Sequence, residues 1–377
     1  MFFGAALIFL YVLCRAVLPL RCGVKRKILL GAGVFLLSFK FQLMRRIAGP
    51  LFFAPDMPNG ILTVATWCFA VFFIFFLLLV VADLCRLARF LLRKLLRRPK
   101  QENRRDIDYA INLALLVVAA LLASFGMVNT LEAPAIRPVE VRCRNLPPEL
   151  DGLKIVLLAD LHVDKLTPPE FLPEVVRRVN TLEPDLVAIA GDFADGPAAR
   201  IAPKLLPLKG LRAKYGVYAV PGNHEYYSGY HDYMAYLPTL EMTVLENSHR
   251  MAAPKLAVAG ITDPAAERRR LPKPDLDAAL DGIPADAFVL LLAHNPVYAR
   301  KTARKKVDLQ LSGHTHGGLM TGFDRLVAIC NLGFVSGLYR VGEMQLYVSR
   351  GTAQWKGFPV RLGVPAEITV ITLRRAE

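Results

Sequence analysis

Residues 153–162 read LKIVLLADLH, and residues 186–195 read LVAIAGDFAD. In each stretch an apolar run ends abruptly at carboxylate or imidazole side chains, which is typical of a buried strand that leads into a functional site. A helical pattern over residues 170–182 separates the two strands, and this alternation predicts an α/β domain whose ligands gather at the carboxyl ends of strands. Three further apolar runs end in polar groups in the same way, at residues 216–220, 288–292 and 307–311.

The residues at these strand ends supply oxygen and imidazole donors and no thiol. They are Asp160, His162, Asp192, Asp195, Asn223, His224, His294, His314 and His316. An isolated histidine has many structural uses, but five of the seven histidines of the chain fall in this set, and that concentration predicts a metal centre. Such donors suit Mn²⁺, Fe or Zn²⁺ in a hydrolytic site. Their number favours two ions that share a carboxylate, an arrangement used in phosphoryl transfer.

These residues form five ordered blocks that resemble the signature of the calcineurin-like metallophosphoesterase superfamily. The blocks are Asp160/His162, Gly191-Asp192/Asp195, Gly222-Asn223-His224-Glu225, His294 and Gly313-His314/His316. The match covers about residues 151–377. The block at residues 313–318 and the tail at residues 366–373 look like the branch of membrane-anchored bacterial phosphodiesterases of the YkuE and YaeI type. A glutamine commonly follows the glycine pair in that branch, whereas Leu319 follows it here.

The resemblance implies a role for each site residue. The first ion is expected to be held by Asp160, His162, Asp192 and His316. Asp192 is expected to bridge to a second ion, which is completed by Asn223, His294 and His314. His224 is the expected general acid or electrostatic stabiliser, and Asp195 orients it. The implied cofactors are two divalent ions, Mn²⁺ first with Fe or Zn²⁺ as alternatives, and a hydroxide bridging them attacks phosphorus. The implied fold is a four-layer αββα sandwich.

The first 129 residues differ from the rest in composition. They carry 17 Lys and Arg against 5 Asp and Glu, so most of the net charge of +15 lies there. The mean hydropathy of +0.36 is too high for an ordinary soluble protein. Apolar runs predict about four transmembrane helices, of which the second is the poorest because it contains Lys40. The expected spans are residues 2–20, 28–44, 61–81 and 109–128.

The segment between the third and fourth spans predicts the orientation. Its basic residues are Arg86, Arg89, Arg93, Lys94, Arg97, Arg98, Lys100, Arg104 and Arg105. A short loop this basic stays in the cytoplasm, so we expect a multi-pass protein of the bacterial inner or cell membrane with an extracytoplasmic catalytic domain. Arg45 and Arg46, on the expected outer loop, count against this scheme. An amphipathic surface helix at residues 84–96 is the alternative, and it leaves the orientation unchanged.

Prolines divide the membrane part from the soluble part. Pro134, Pro138, Pro147 and Pro148 fall within residues 130–150, which suits an extended tether rather than another helix. The expected organisation is therefore a transmembrane region at residues 1–129, this tether, and a catalytic domain at residues 151–377 close to the bilayer.

Together these features predict a membrane-anchored phosphodiesterase that uses two metal ions. The expected substrate is a phosphodiester or pyrophosphate bond in a lipid or cell-envelope intermediate. The alternative is a non-catalytic metal-containing membrane receptor or assembly module, which missing ligands would have indicated. Nucleic acid is disfavoured as a partner because the excess of basic over acidic residues belongs to the membrane part. The sequence predicts no particular protein partner.

Three features keep two interpretations each. Five tyrosines, at positions 226, 227, 230, 233 and 236, form either a lid over the substrate or part of the domain core. The run Arg268–Arg270 either binds a phosphate or lies in a solvated loop. Cys143 and Cys330 are the two cysteines of the soluble part, and they pair only if that part faces an oxidising compartment.

Overall fold

The computed structural model describes residues 2–49, 54–97 and 105–376. Three residues of the basic loop, Arg98, Lys100 and Arg104, therefore lie outside the described residues. The chain forms two compact units. The first comprises Met1–Val128 with Gly357–Val360, and the second comprises Asn129–Lys356 with Arg361–Glu377.

The first unit is helical. Its helices are α1 (Phe2–Val12), α2 (Val24–Ser38), α3 (Lys40–Ala48), α4 (Asn59–Leu95) and α5 (Arg105–Val128), and a π-helical turn at Leu13–Val17 continues α1. Within the described part of the chain, α4 and the Ile107–Val128 part of α5 are long and apolar enough to cross a membrane. The third and fourth expected spans fall on these two helices.

The other two expected spans have a different form. The first lies on the apolar helix Phe2–Val17, which is shorter than a full span, and the second lies on α2 and α3, which are bent by 68°. By length and composition, the described residues therefore hold two spanning helices, or three if the bent pair counts as one. The bend falls beside Lys40, the residue that weakened this span in the sequence.

Ion pairs connect three of these helical segments. The Asp83 carboxylate on α4 accepts hydrogen bonds from Arg15 at 2.9 Å and from Arg86 at 2.5 Å. Arg86 also lies 3.1 Å from Asp108 on α5. The segment at residues 84–96, considered above as a separate surface helix, is continuous with α4 up to Leu95. Arg15 thus interrupts an apolar segment while its charge is matched by a carboxylate.

The second unit is an α/β domain. Its strands are β1 (Ala135–Cys143), β2 (Lys154–Leu158), β3 (Leu186–Ile189), β4 (Val217–Ala219), β5 (Thr243–Val244), β6 (Ser248–Ala253), β7 (Leu256–Gly260), β8 (Phe288–Leu292), β9 (Leu309–Ser312), β10 (Gly337–Val341), β11 (Met344–Val348) and β12 (Glu367–Arg375). Its helices are α6 (Phe171–Thr181), α7 (Ala198–Ile201), α8 (Asn223–Ser228), α9 (Tyr230–Tyr236), α10 (Leu276–Leu280), α11 (Ala299–Thr302) and α12 (Asp324–Cys330). The five predicted strands are confirmed as β2, β3, β4, β8 and β9.

Two mixed sheets of six strands make up this unit. The strand order of the first is β1-β12-β2-β3-β4-β5, in which β12 and β2 are antiparallel and the other neighbours are parallel. The order of the second is β10-β11-β9-β8-β7-β6, in which only the two edge pairs are antiparallel.

The inner strands β3, β7 and β8 are apolar throughout because both of their faces are buried. Ile155 and Leu157 of β2 belong to a core cluster that also contains Leu290 of β8, so one face of each sheet contributes to a common core. Val156 of β2 lies in a second cluster with Val175 of α6. A third cluster joins the opposite face of the second sheet to α10 and α11.

The segment expected to be a tether contains an ordered strand. Within residues 130–150, β1 pairs in parallel with β12 over nine residues. Val141 and Cys143 are buried in the core, and this alternating pattern fixes the strand on the domain. Pro138 is tolerated because β1 is an edge strand, where a missing N–H breaks no ladder on the open side.

Candidate metal centre

Parallel neighbours bring the polar strand ends together. The strands β2, β3 and β4 are parallel neighbours in the first sheet, and β8 and β9 are parallel neighbours in the second. Because the carboxyl ends of parallel strands lie at the same edge of a sheet, the loops that follow them converge. The nine site residues predicted from the sequence meet in one cluster at these loops.

One group of donors comes from the loops after β2, β3 and β9. His162 Nε2 lies 3.0 Å from His316 Nε2 and 3.9 Å from Asp160 Oδ1. His316 Nε2 lies 3.5 Å from the same Asp160 oxygen. Asp192 Oδ2 lies 3.6 Å from His162 Nε2. These four residues are the set expected for the first ion.

A second group shares Asp192 with the first. His294 Nε2 lies 3.2 Å from Asp192 Oδ2 and 3.1 Å from Asn223 Oδ1. His314 Nδ1 lies 2.7 Å from Asn223 Oδ1. His294 Nδ1 donates to the Ala190 carbonyl at 2.7 Å, which leaves Nε2 with a lone pair toward the cluster. The Asp192 carboxylate therefore touches both groups, as a bridging ligand would.

His224 and Asp195 lie beside these donors. The Asp195 carboxylate is 2.5 Å from His224 Nδ1 and 3.3 Å from His162 Nδ1. His224 Nε2 lies 4.0 Å from Asp192 Oδ2, so this ring nitrogen faces the cluster. Asp195 thus contacts two imidazoles, whereas the sequence assigned it to His224 alone.

Five of the cluster residues have a left-handed backbone conformation. Their φ angles are +55° at Asp160, +42° at His162, +57° at Asp192, +74° at His314 and +50° at His316. This conformation costs an L-residue on the order of 1 kcal/mol, so the surrounding structure must hold it in place. Such residues concentrate at functional sites, and here the turns aim the side chains inward.

Two glycines of the motifs are required by close approach of the loops. A Cβ atom at Gly222 would overlap the Asp192 carboxylate. A Cβ atom at Gly313 would overlap the Asp160 carboxylate in the same way. Any side chain at either position would therefore push a carboxylate out of the cluster.

Glu225 is a site residue whose role the sequence did not reveal. Its side chain is fully buried and accepts hydrogen bonds from four backbone amides, those of Gly222 at 2.7 Å, Phe193 at 2.8 Å, Asp192 at 3.1 Å and Ala194 at 3.3 Å. This carboxylate ties the loop after β3 to the loop after β4. Its place in the Gly-Asn-His-Glu block was the available signal.

Arg361 is a second such residue, and no pattern in the sequence pointed to it. It is 1% exposed, and its Nη2 donates to the carbonyl oxygens of Ala353 at 2.6 Å and Arg350 at 2.9 Å. The same nitrogen lies 3.5 Å from His316 Nδ1. The guanidinium therefore fixes the backbone behind one of the expected ligands.

The cluster fits divalent cations by its chemistry and its charge. Asp160, Asp192 and His294 offer ligand atoms within 4.8 Å of one another, and so do Asp160, His162 and His316. Asp160 is fully buried and Asp192 is 2% exposed. Two buried carboxylates in one cluster repel each other unless a cation neutralises them. Oxygen and imidazole donors without thiolate suit a hydrolytic metal.

The protein environment sets the charge of His224 and Asp195. Burial would raise the pKa of Asp195, but the His224 and His162 imidazoles lower this pKa to about 2. Burial would lower the pKa of His224, but the Asp195 and Asp192 carboxylates raise this pKa to about 9. His224 is therefore a protonated imidazole at neutral pH, able to donate a proton.

Most of the tyrosines after the Asn-His pair belong to the domain interior. Tyr226, Tyr230 and Tyr233 are at most 4% exposed, as the packing interpretation expects. Tyr227 is half-buried, and its ring centroid lies 5.4 Å from that of His224. One tyrosine, rather than five, borders the site directly through this ring contact.

The two remaining ambiguities concern the arginine run and the cysteine pair. Arg269 and Arg270 are exposed, and the Arg269 guanidinium lies 5.0 Å above the Tyr227 ring, while the side chain of Arg268 lies outside the described residues. Cys143 is buried and Cys330 is exposed, and both are free thiols.

Comparison with known proteins identifies the same region. A family model described as calcineurin-like phosphoesterase matches residues 153–318, which contain every residue of the cluster described above except Arg361. A protein of Bos taurus named "Transmembrane protein with metallophosphoesterase domain" is 38% identical over 291 residues, which cover 72% of this chain and 65% of that protein. This chain therefore spans slightly less than two thirds of the bovine relative.

Two further relatives are covered more completely. A Danio rerio protein with the same name is 33% identical over 340 residues, which cover 86% of this chain and 77% of that protein. The metallophosphoesterase YkuE of Bacillus subtilis is 31% identical over 274 residues, which cover 69% of this chain and 93% of that protein. With these relatives and with the motif residues gathered at one edge of two sheets, the chain belongs to the calcineurin-like metallophosphoesterase family.

Proposed function

We propose that this protein is a membrane-anchored phosphodiesterase that uses two divalent metal ions. The observation that carries the proposal is the position of Asp192 Oδ2, which lies 3.6 Å from His162 Nε2 and 3.2 Å from His294 Nε2. One carboxylate oxygen thus serves both donor groups. Asp160, His162, Asp192 and His316 would hold one ion, and Asp192, Asn223, His294 and His314 the other.

When bound, the two ions activate water as the nucleophile and neutralise the phosphate oxygens. The donor set suits Mn²⁺, with Fe or Zn²⁺ as alternatives. As the water oxygen bonds to phosphorus, the bond from phosphorus to the leaving oxygen breaks.

His224 supplies the proton that the leaving oxygen needs. Its Nδ1 is held by Asp195 at 2.5 Å, so Nε2 is the nitrogen that faces the substrate. General acid catalysis of this kind contributes about 10²–10⁴ in rate. Asp195 is a positioning residue, because it fixes the ring and favours its charged form.

The location of the enzyme is part of the same proposal. The apolar helices α4 and α5 support anchoring in a membrane, and the basic end of α4 supports a cytoplasmic loop between them. We place the catalytic domain, which includes β1 and so begins before residue 151, on the extracytoplasmic side of a bacterial membrane. The three core clusters support an αββα layering of this domain.

The substrate class follows from anchoring. An enzyme held at the bilayer meets lipids and lipid-linked envelope intermediates at high local concentration, so we propose a phosphodiester or pyrophosphate bond in such a molecule. Nucleic acid fits less well because most of the net positive charge lies in the first 129 residues.

The test uses the purified full-length chain in lipid nanodiscs with Mn²⁺. We expect hydrolysis of bis(p-nitrophenyl) phosphate to exceed that of p-nitrophenyl phosphate, and Asp192→Asn to lower kcat/KM by about 10³-fold or more because both donor groups lose their shared ligand. Asp281→Asn, which changes an exposed carboxylate, is the matched control and should retain activity. Metal binding without cleavage of either ester would instead favour a receptor or assembly module.

A further inference from the structure

A cavity of about 390 Å³ lies in the second unit, and its wall includes Val163, the residue after His162. Apolar side chains form most of its wall, among them Val163, Pro168, Leu172, Pro203 and Leu206. Its volume falls in the range of small-molecule binding sites, about 300–1,000 Å³. Val163 directly follows His162, so the cavity begins one residue from an expected metal ligand.

A smaller cavity lies between this apolar space and the cluster, because it shares lining residues with the first cavity and has His162 in its wall. It measures about 40 Å³, and His162 and Lys356 are part of its wall. Thr167 and Pro168 line both cavities, so the two cavities are adjacent. A ligand with its phosphate at the metal centre could thus extend past His162 into an apolar space.

The charges along this path suit an anionic ligand. Lys204 and Lys356 are the lysines of the two walls, and the described residues that line either cavity include no Asp or Glu. The Lys204 ammonium donates to the carbonyl oxygens of Asp164 and Thr167, which fixes it beside the boundary. A cationic entrance followed by an apolar space matches an amphiphile with a negative head and an apolar chain.

The covalent chain joins this path to the apolar helix α5 through a short segment. Thr130 and Leu131 line the smaller cavity, and Thr130 comes two residues after Val128, the last residue of the apolar helix α5. Two extended residues span at most about 7 Å. Leu131 and Leu206 are also exposed, at 73% and 57%. The free-energy cost of exposing an apolar side chain is smaller when lipid chains lie nearby.

We propose that the two cavities form a binding site for one acyl chain of a membrane phospholipid. The phosphate of that lipid lies at the metal centre, and the chain passes His162 to reach Leu172 and Leu206. Identification of this phosphate as the reacting group rests on the proposed function, whereas binding of the chain does not.

The first test measures how activity depends on chain length. The full-length chain in nanodiscs with Mn²⁺ is given p-nitrophenyl phosphodiesters whose second ester group runs from methyl to octyl, each below its micelle concentration. Burial of one methylene corresponds to about a fourfold gain in affinity, so we expect kcat/KM for the octyl ester to exceed that for the methyl ester at least tenfold. Leu206→Asp should reduce this octyl-to-methyl ratio at least fivefold.

The matched control changes an exposed leucine elsewhere in the second unit. Leu326 on α12 is 52% exposed and lines neither cavity, so Leu326→Asp should keep the wild-type ratio. A wild-type ratio near one would overturn the inference. An equal loss in both variants would do the same, because it would report a general effect of added charge on partitioning of the substrate.

The second test needs no catalysis. A decyl phosphodiester with a diazirine at the end of its chain is photolysed with the full-length chain in EDTA, and the adducts are located by mass spectrometry. We expect adducts within residues 163–172 and 203–207, and fewer of them in Leu206→Asp. Adducts confined to α4 and α5 would contradict the inference. Adducts in the cavity without any esterase activity would support the chain site and remove the proposed phosphodiesterase, whereas activity with a flat ratio would do the reverse.

Discussion

Two regions of this molecule bring carboxylates into polar clusters, and they balance charge differently. In the helical unit, Asp83 accepts hydrogen bonds from Arg15 and Arg86, and Arg86 also contacts Asp108. Two acidic side chains are matched there by two guanidinium groups. At the strand ends, the ion-pair partners of Asp160 and Asp192 are imidazoles, and a single imidazole, that of His162, lies within 4 Å of both carboxylates.

This difference separates a structural cluster from a binding cluster. Where the chain supplies its own counter-charges, the polar group joins helices and needs no ligand. Where carboxylates are buried with an incomplete set of counter-charges, a cation from solution lowers the electrostatic free energy. The backbone conformation supports this distinction, because Asp160, His162 and Asp192 all have the left-handed conformation that is common at functional sites.

Among substitutions in the strand-end cluster, Asp195→Asn is expected to lower activity most after Asp192→Asn. This carboxylate holds both His224 and His162, so its loss should lower kcat for the phosphodiester about 10²-fold. It is also the largest of the influences that raise the pKa of His224 to about 9. Because the protonated ring donates the proton, activity is lost as pH rises through this pKa, and the variant should lose it at lower pH.

The measurement is a pH profile of kcat for wild type, Asp195→Asn and His224→Ala. A high-pH limb that stays in place in Asp195→Asn would show that the carboxylate does not control the charge of His224. Asp281→Asn, with its exposed side chain, controls for removal of a carboxylate from the same unit.

A smaller effect distinguishes the two clusters by the sign of a stability change. In the metal-free full-length chain, Asp83→Asn leaves two arginines short of a counter-charge, so it should destabilise by about 1–2 kcal/mol, a value reduced by partial exposure of the group. Asp160→Asn removes a buried carboxylate whose pKa is raised by burial and by the nearby Asp192 carboxylate, so it should leave the melting temperature unchanged or higher. Melting curves in EDTA provide the comparison. A lower melting temperature for both variants would contradict the proposed difference between the helical cluster and the strand-end cluster.

The sequence was most informative where local chemistry and strand geometry coincide. The runs before Asp160, Asp192 and His294 are β-branched or leucine-rich, and they became strands buried on both faces. The nine site residues could be predicted because each follows such a strand directly. Their convergence then needed only the rule that neighbouring parallel strands end at one edge.

Features that depend on distant partners were not predictable in this way. Arg361 donates hydrogen bonds to the carbonyl oxygens of Arg350 and Ala353. The spacing of residues along the sequence does not predict such contacts. The strand β1 was expected to be a tether because its prolines suit extended chain, and extended chain becomes a strand only when an edge such as β12 accepts it. The helix bend beside Lys40 was likewise not indicated by the length of the apolar run.

The central claim is that the strand-end cluster is completed by two divalent cations. It is tested most directly by calorimetric titration of the metal-free full-length chain with Mn²⁺, alongside Asp192→Asn and Asp281→Asn. We expect two Mn²⁺ per chain in wild type and in Asp281→Asn, and at most one weakly bound ion in Asp192→Asn, because the bridging carboxylate serves both sites. An equal stoichiometry and affinity in wild type and Asp192→Asn, or no binding in either, would contradict the account.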